Sequence, residues 1–184
     1  MVAPPRAEDD AVPGAPPPPT ARTRAAPAAP SAFLATLPAE ATTAWLVRQR
    51  LTGWLTALGW PAAAVEDVVF AVSEAVSNCT EHAYPGGVPD PVVEIDAVVE
   101  PAPAEEDPRA TGAEHEQRTG QRLTVEVRDH GTWRAVPPDP GHRGRGVRMM
   151  VALMNDVVIR RGDAGRPGTE VVLVSPTVFP ALPA

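Results

Sequence analysis

One stretch constrains this chain more than any other: residues 68–87, VVFAVSEAVSNCTEHAYPGG. Val65, Val69, Val72 and Val76 recur at spacings of four, three and four, with Val68 alongside. At 100° per residue they form one apolar stripe, so the pattern predicts an amphipathic helix over 65–82 lying on a core. Glu74 and Asn78 stand four apart on the other side, which makes their side chains neighbours one turn apart. An arbitrary helix with Glu74, Asn78 and Glu81 on one side presents a solvated face. Small Ala71 and Ala75 beside Asn78 leave room for another group to approach.

The elements around that helix follow in chain order. Residues 1–30 hold nine of the 24 prolines, a composition that buries too little apolar surface to offset chain entropy. The segment is read as a disordered leader. Residues 31–39 alternate weakly and suit an edge strand ended by Pro38. Ala44, Val47, Leu51, Trp54, Leu55 and Leu58 predict a helix over 42–58, closed by Gly59 and Pro61. Arg48 and Arg50 on it are surface charge by default, with a protein or phosphate contact as the functional alternative. Residues 91–99, PVVEIDAVV, read as a strand. Residues 100–120 then carry six acids, two arginines and three prolines without periodicity, which suits an acidic insertion in a strand-to-strand hairpin.

Leu123, Val125 and Val127 alternate with Thr124, Glu126 and Arg128, predicting a half-buried strand over 122–129 that delivers Asp129 at its end. Asp129-His130-Gly131 by itself is a turn signal, though a carboxylate beside a glycine also suits a ligand. Residues 133–146 read as loop, and 147–154, VRMMVALM, as a short buried helix. Gly144-Arg145-Gly146 would then stand at a helix N-terminus, where free N–H groups and the dipole favour a phosphate. Strands over 156–161 and 169–174 form a closing hairpin. The expected plan is a leader over 1–30, one domain over 31–176 with an insertion at 100–120, and a tail over 177–184.

Composition removes several function classes. All 16 basic residues are arginine, so no P-loop, Schiff-base or protein-kinase-type lysine exists. A net charge of −7 argues against nucleic acid as a direct partner. Cys79 is the one cysteine, so there is no internal disulfide and no cysteine metal cluster. No apolar run is long enough to span a membrane. With no apolar signal core, the expected location is cytoplasmic.

Taken together, the motifs resemble those of the histidine-kinase-like (GHKL) ATPase superfamily, and within it the bacterial anti-sigma factor serine kinases. Residues 73–78, SEAVSN, continuing to His82-Ala83-Tyr84, are similar to the N-box helix of that family. Asp129-His130-Gly131 is similar to its adenine box, Gly144-Arg145-Gly146-Val147 to its phosphate lid, and Gly168-Thr169 to its last box. All four stand in family order between residues 33 and 175. The resemblance implies a two-layer α/β sandwich, a mixed and largely antiparallel sheet of about five strands with three helices on one face.

It also implies ATP and Mg²⁺ as cofactors. Asn78 would ligate the magnesium ion. Asp129 would accept from the adenine amino group, Gly131 would make room for the ring, and Thr169 would bond near the base. Gly144 and Gly146 would let the lid close on the phosphates, and with no lysine Arg145 or another arginine would supply any cationic phosphate contact. Glu74 would be the general base for an attacking serine hydroxyl. The implied partners are an antagonist protein, which is phosphorylated, and a sigma factor, which is sequestered; a homodimer is compatible with this. Trp133 departs from the family, standing where a second glycine is frequent. The alternative from another class is a non-catalytic, ATP-dependent protein-binding module. A sensor histidine kinase is disfavoured because no phosphoacceptor-histidine helix precedes the domain.

Overall fold

The computed structural model describes residues 31–102, 119–132, 145–163, 165 and 167–181. The expected leader, most of the acidic insertion, Trp133 and Gly144 lie outside the described residues.

Five strands and three helices follow the predicted order: β1 (Ala32–Pro38), α1 (Thr43–Ala57), α2 (Ala62–His82), β2 (Val92–Pro101), β3 (Gln121–Asp129), α3 (Arg145–Leu153), β4 (Asp156–Arg161) and β5 (Thr169–Val174). The sheet order is β1-β2-β3-β5-β4. Each of its four pairings is antiparallel, so the sheet expected to be mixed but largely antiparallel pairs only antiparallel among the described residues. The period of two sorts its side chains. Val93, Ile95, Ala97, Leu123, Val125, Val127, Val171 and Leu173 are buried against the helices. The alternate positions form a charged row across the sheet, in which Glu94 is opposite Arg128, Arg128 opposite Glu170, and Glu170 opposite Arg160. Opposite charges at facing positions stabilise a sheet surface modestly, and Arg160 meets Glu170 at 2.8 Å.

Helix α2 is the hub, touching α1, α3, β2, β3 and β5. Its buried set is wider than the valine stripe and includes Ala71, Ser73, Ala75 and Cys79. Helix α1 contributes Val47, Leu51 and Leu55, all fully buried at i, i+4 and i+8, a spacing that keeps them on one helix face. Trp54 packs on Phe33 of β1 with ring centroids 5.6 Å apart, within the range for favourable aromatic pairs.

Three local expectations change. Strand β2 runs on through Glu100 and Pro101, where Pro101 faces Gln121 and the Ala102 N–H bonds the Gly120 carbonyl at 2.8 Å. The insertion therefore leaves and re-enters at adjacent positions, as a hairpin insertion must. Residues 177–181, read as tail, return to the body. Val178 is buried and exchanges two backbone bonds with Gln121, while the Ala181 N–H bonds Gly59. Lastly, α3 is not a buried helix. Within it only Met150 is buried, while Val147, Met149 and Val151 are exposed. Its apolar content exceeds what one neighbouring helix and an edge strand can cover.

Candidate functional site: helix α2, the first turn of α3 and the ends of β3 and β5

The site begins with Asp129, the last residue of β3 and 2% exposed. A buried carboxylate needs donors. Oδ1 receives two, the Gly131 N–H at 2.9 Å and the Thr169 N–H at 3.1 Å. The first closes a tight local turn. The second ties β3 to the start of β5, 40 residues on. Neither backbone donor goes to Oδ2, which suits an amino group such as that of adenine. Beside Asp129 lies Cys79 of α2. Burial, then this neighbouring carboxylate, push the Cys79 thiol well above the ordinary thiol range, so it stays protonated and unreactive.

Two glycines let backbones meet here. A Cβ on Gly131 would stand 2.0 Å from the Ala83 carbonyl oxygen, and the Thr132 N–H bonds that same oxygen at 2.7 Å. The missing side chain of Gly131 thus admits the end of α2, a demand made by the protein itself. Gly168 has φ of +113° and would place a Cβ 2.0 Å from the Asp129 carbonyl oxygen. Only glycine adopts that backbone at such a distance.

The second part of the site is the outer side of α2. Glu74 and Asn78 are half-buried, while Glu81 is exposed. The solvated-face reading therefore holds for Glu81 and fails for the other two. Glu74 reaches α3: its Oε2 lies 2.4 Å from where a Cβ on Gly146 would stand. A carboxylate is thus seated against the first turn of α3, on the side where anions are favoured. Arg145, the first residue of α3, is exposed. Before Glu74, buried Ser73 donates to the Val69 carbonyl at 2.6 Å and accepts from Arg48 Nε at 3.4 Å, fixing α1 against this turn.

The structure therefore brings Glu74 and Gly146 together, and separately Asp129, Gly131 and Thr169, with α2 linking the two groups through Asn78 and Cys79. Gly168 and Tyr84 enter the sequence reading only as members of the last box and the N-box, with no role of their own, and Cys79 is read from sequence as a small helix residue. What they do here depends on contacts with Asp129 and His130, far along the chain, which no local pattern announces.

The donor set fits a nucleotide with a hard cation. Among the described residues no group of three or more His, Cys, Asp or Glu side chains could hold a metal ion. A cation at Asn78 would thus draw its remaining ligands from phosphate and water oxygens, as magnesium usually does. Also among the described residues, no helix is long and apolar enough to cross a membrane.

Comparison with known proteins agrees with this geometry. The chain resembles the crystal structure of the RsbU and RsbW domains of Rv1364c from Mycobacterium tuberculosis, at 27% sequence identity and a TM-score of 0.52. The match covers 82% of this chain and 33% of that one, so the chain spans about a third of its neighbour's length. The family model of the histidine kinase-like ATPase domain matches residues 37–175, the span that holds α2, the Asp129 turn, α3 and the β4–β5 hairpin. By that match, reaching from the end of β1 past β5, the chain belongs to the histidine kinase-like ATPase domain family.

Proposed function

We propose that the protein is an ATP-dependent serine kinase of the anti-sigma type, which phosphorylates a small antagonist protein and sequesters a sigma factor. An ATP site goes with the ATPase family. The likeness to a structure containing an RsbW domain supports the anti-sigma assignment. The observation that carries the catalytic part is the place of Glu74: half-buried, at the first turn of α3, one helical turn before Asn78.

In this reading Asp129 orients the nucleotide by accepting from the adenine amino group through Oδ2, its Oδ1 being held by two backbone donors. Thr169 flanks the base. Asn78 supplies an amide oxygen to magnesium, which when bound neutralises charge on the phosphates and aligns them. The first turn of α3, with Gly146 and Arg145, offers N–H groups and a guanidinium to phosphate oxygens. Glu74 takes the proton from the attacking serine hydroxyl; a positioned base of this kind contributes about 10²–10⁴-fold.

The test is labelled phosphoryl transfer from magnesium-ATP to candidate antagonist domains, comparing wild type with Glu74→Gln. The substitution keeps size and polarity and removes the base. The expected result is normal ATP binding with transfer reduced ~10²–10⁴-fold. Equal transfer by both proteins would remove Glu74 from the mechanism. Partner binding without labelling by either would favour a non-catalytic binding module.

A further inference from the structure

We infer that Tyr84 is a positioning residue for base recognition: its hydroxyl is wedged into the end of the β2–β3 ladder and turns the Asp129 segment onto helix α2. This rests on the nucleotide site proposed above and adds a determinant of its selectivity.

The register shows the wedge. Strands β2 and β3 pair antiparallel, and their last rung at this end joins Val93 to Asp129. One step further in the same register, Val92 would face His130. The bond expected there, from the His130 N–H to the Val92 carbonyl, is replaced by a relay through Tyr84. The Tyr84 hydroxyl donates to the Val92 carbonyl at 2.5 Å and accepts from the His130 N–H at 3.0 Å. One phenol has one proton to give, so both of its roles are assigned by these two bonds. The strands are held apart by the thickness of an oxygen atom at the residue after Asp129.

That spacing has a consequence for the loop. Freed from β2, the chain after Asp129 bends toward α2. There Thr132 bonds the Ala83 carbonyl and Gly131 closes to a distance at which no Cβ fits. The His130 side chain points the other way, to Glu94 at 3.2 Å. Tyr84 follows directly on Ala83, just past the helix that carries Glu74, Asn78 and Cys79. The carboxylate that reads the base and the residues that face the phosphates are thereby set relative to one another by the Tyr84 hydroxyl together with the Thr132–Ala83 bond it makes room for. Without it, the ladder gains its missing rung, His130 is drawn onto Val92, and Gly131 is pulled off Ala83. The Asp129 turn would then face the base at a different angle.

The experiment compares magnesium-ATP and magnesium-GTP binding to wild type and Tyr84→Phe by calorimetry, with thermal melting as a fold control. Phenylalanine keeps the ring packing and removes the wedge. The expected result is a loss of about tenfold in ATP affinity, the scale of one hydrogen bond to a functional group. GTP, whose O6 gains nothing from Asp129, should change little, so the ATP-over-GTP preference falls by a similar factor. An unchanged preference in Tyr84→Phe beside normal wild-type binding overturns this inference alone. A wild type that binds neither nucleotide overturns the proposed function together with it. A second measurement needs no variant: amide exchange at His130 in the nucleotide-free protein should be slow, and exchange at the rate of an open chain would show that the relay does not hold.

Discussion

The two ends of the candidate site are built from different materials. At the Asp129 end, backbone meets backbone. Gly131 and Gly168 each sit where a Cβ would come within 2.0 Å of a carbonyl oxygen, and the central carboxylate is almost wholly buried. At the Glu74 end, a glycine meets only the tip of a flexible side chain, and Glu74, Asn78 and Arg145 keep contact with solvent. Close-packed backbone cannot yield without moving whole strands, whereas a carboxylate tip can rotate away. One end is therefore a rigid template suited to a flat, constant base. The other is adjustable, which on the function proposed above is the end where phosphates, a cation and an incoming hydroxyl would change during the reaction.

Substitutions at matched glycines break the comparison most sharply. Gly168→Ala should destabilise the fold by about 3 kcal/mol or more, because it combines a disallowed backbone conformation with overpacking. Gly131→Ala should come close to it. Chemical denaturation would check both, and wild-type midpoints would show that the Asp129 end is as adaptable as the other.

Next in size is Asp129→Asn, which tests the rigid end without adding bulk. The amide must keep its oxygen toward the Gly131 and Thr169 N–H groups, so its NH₂ would face the adenine amino group, donor against donor. ATP affinity should fall by about 1–3 kcal/mol, the scale for a bond to a charged group. Titration calorimetry decides this, and unaltered affinity would remove Asp129 from base recognition.

Alkaline pH probes the same end by another route. The folded protein holds the Cys79 proton more tightly than the unfolded chain does, mainly through burial. The stability this confers is complete below the unfolded thiol pKa near ~8.5 and is lost as pH rises above it. The slope should be about 1.4 kcal/mol per pH unit for the one proton involved. Tyr84, raised first by burial, adds in the same direction above about pH 10. The chain has no lysine and a single tyrosine, so few other groups titrate in this window. Denaturation at pH 8 and pH 10 should show Cys79→Ala with the flatter dependence; parallel curves would refute the burial of a protonated thiol.

The smallest effect is expected at the adjustable end. Gly146→Ala should cost about 1 kcal/mol of stability or less, since Glu74 can swing aside and alanine favours a helix. Phosphoryl transfer should nonetheless drop along with the displaced carboxylate. A loss of stability equal to that of Gly168→Ala would erase the difference between the two ends.

Local pattern sufficed for much of this architecture. The valine period laid out α2, the alternation of Leu123, Val125 and Val127 drew β3 and put Asp129 at its tip, and glycines and prolines punctuated the β4–β5 hairpin. These signals are readable because each arises from side chains within a few residues of one another, sorted by a fixed period toward or away from one core. Tertiary structure alone decided the rest. Nothing within α2 separates half-buried Glu74 and Asn78 from exposed Glu81; the packing of α1 and α3 around the helix does. The apolar run of α3 predicted burial, but burial depends on what lies opposite, and only Met150 within α3 finds a full set of neighbours. The bond from Thr169 to Asp129 and the wedge of Tyr84 between Val92 and His130 join residues far apart in sequence. No period encodes such contacts, because they exist only once separate elements have been brought to the same place.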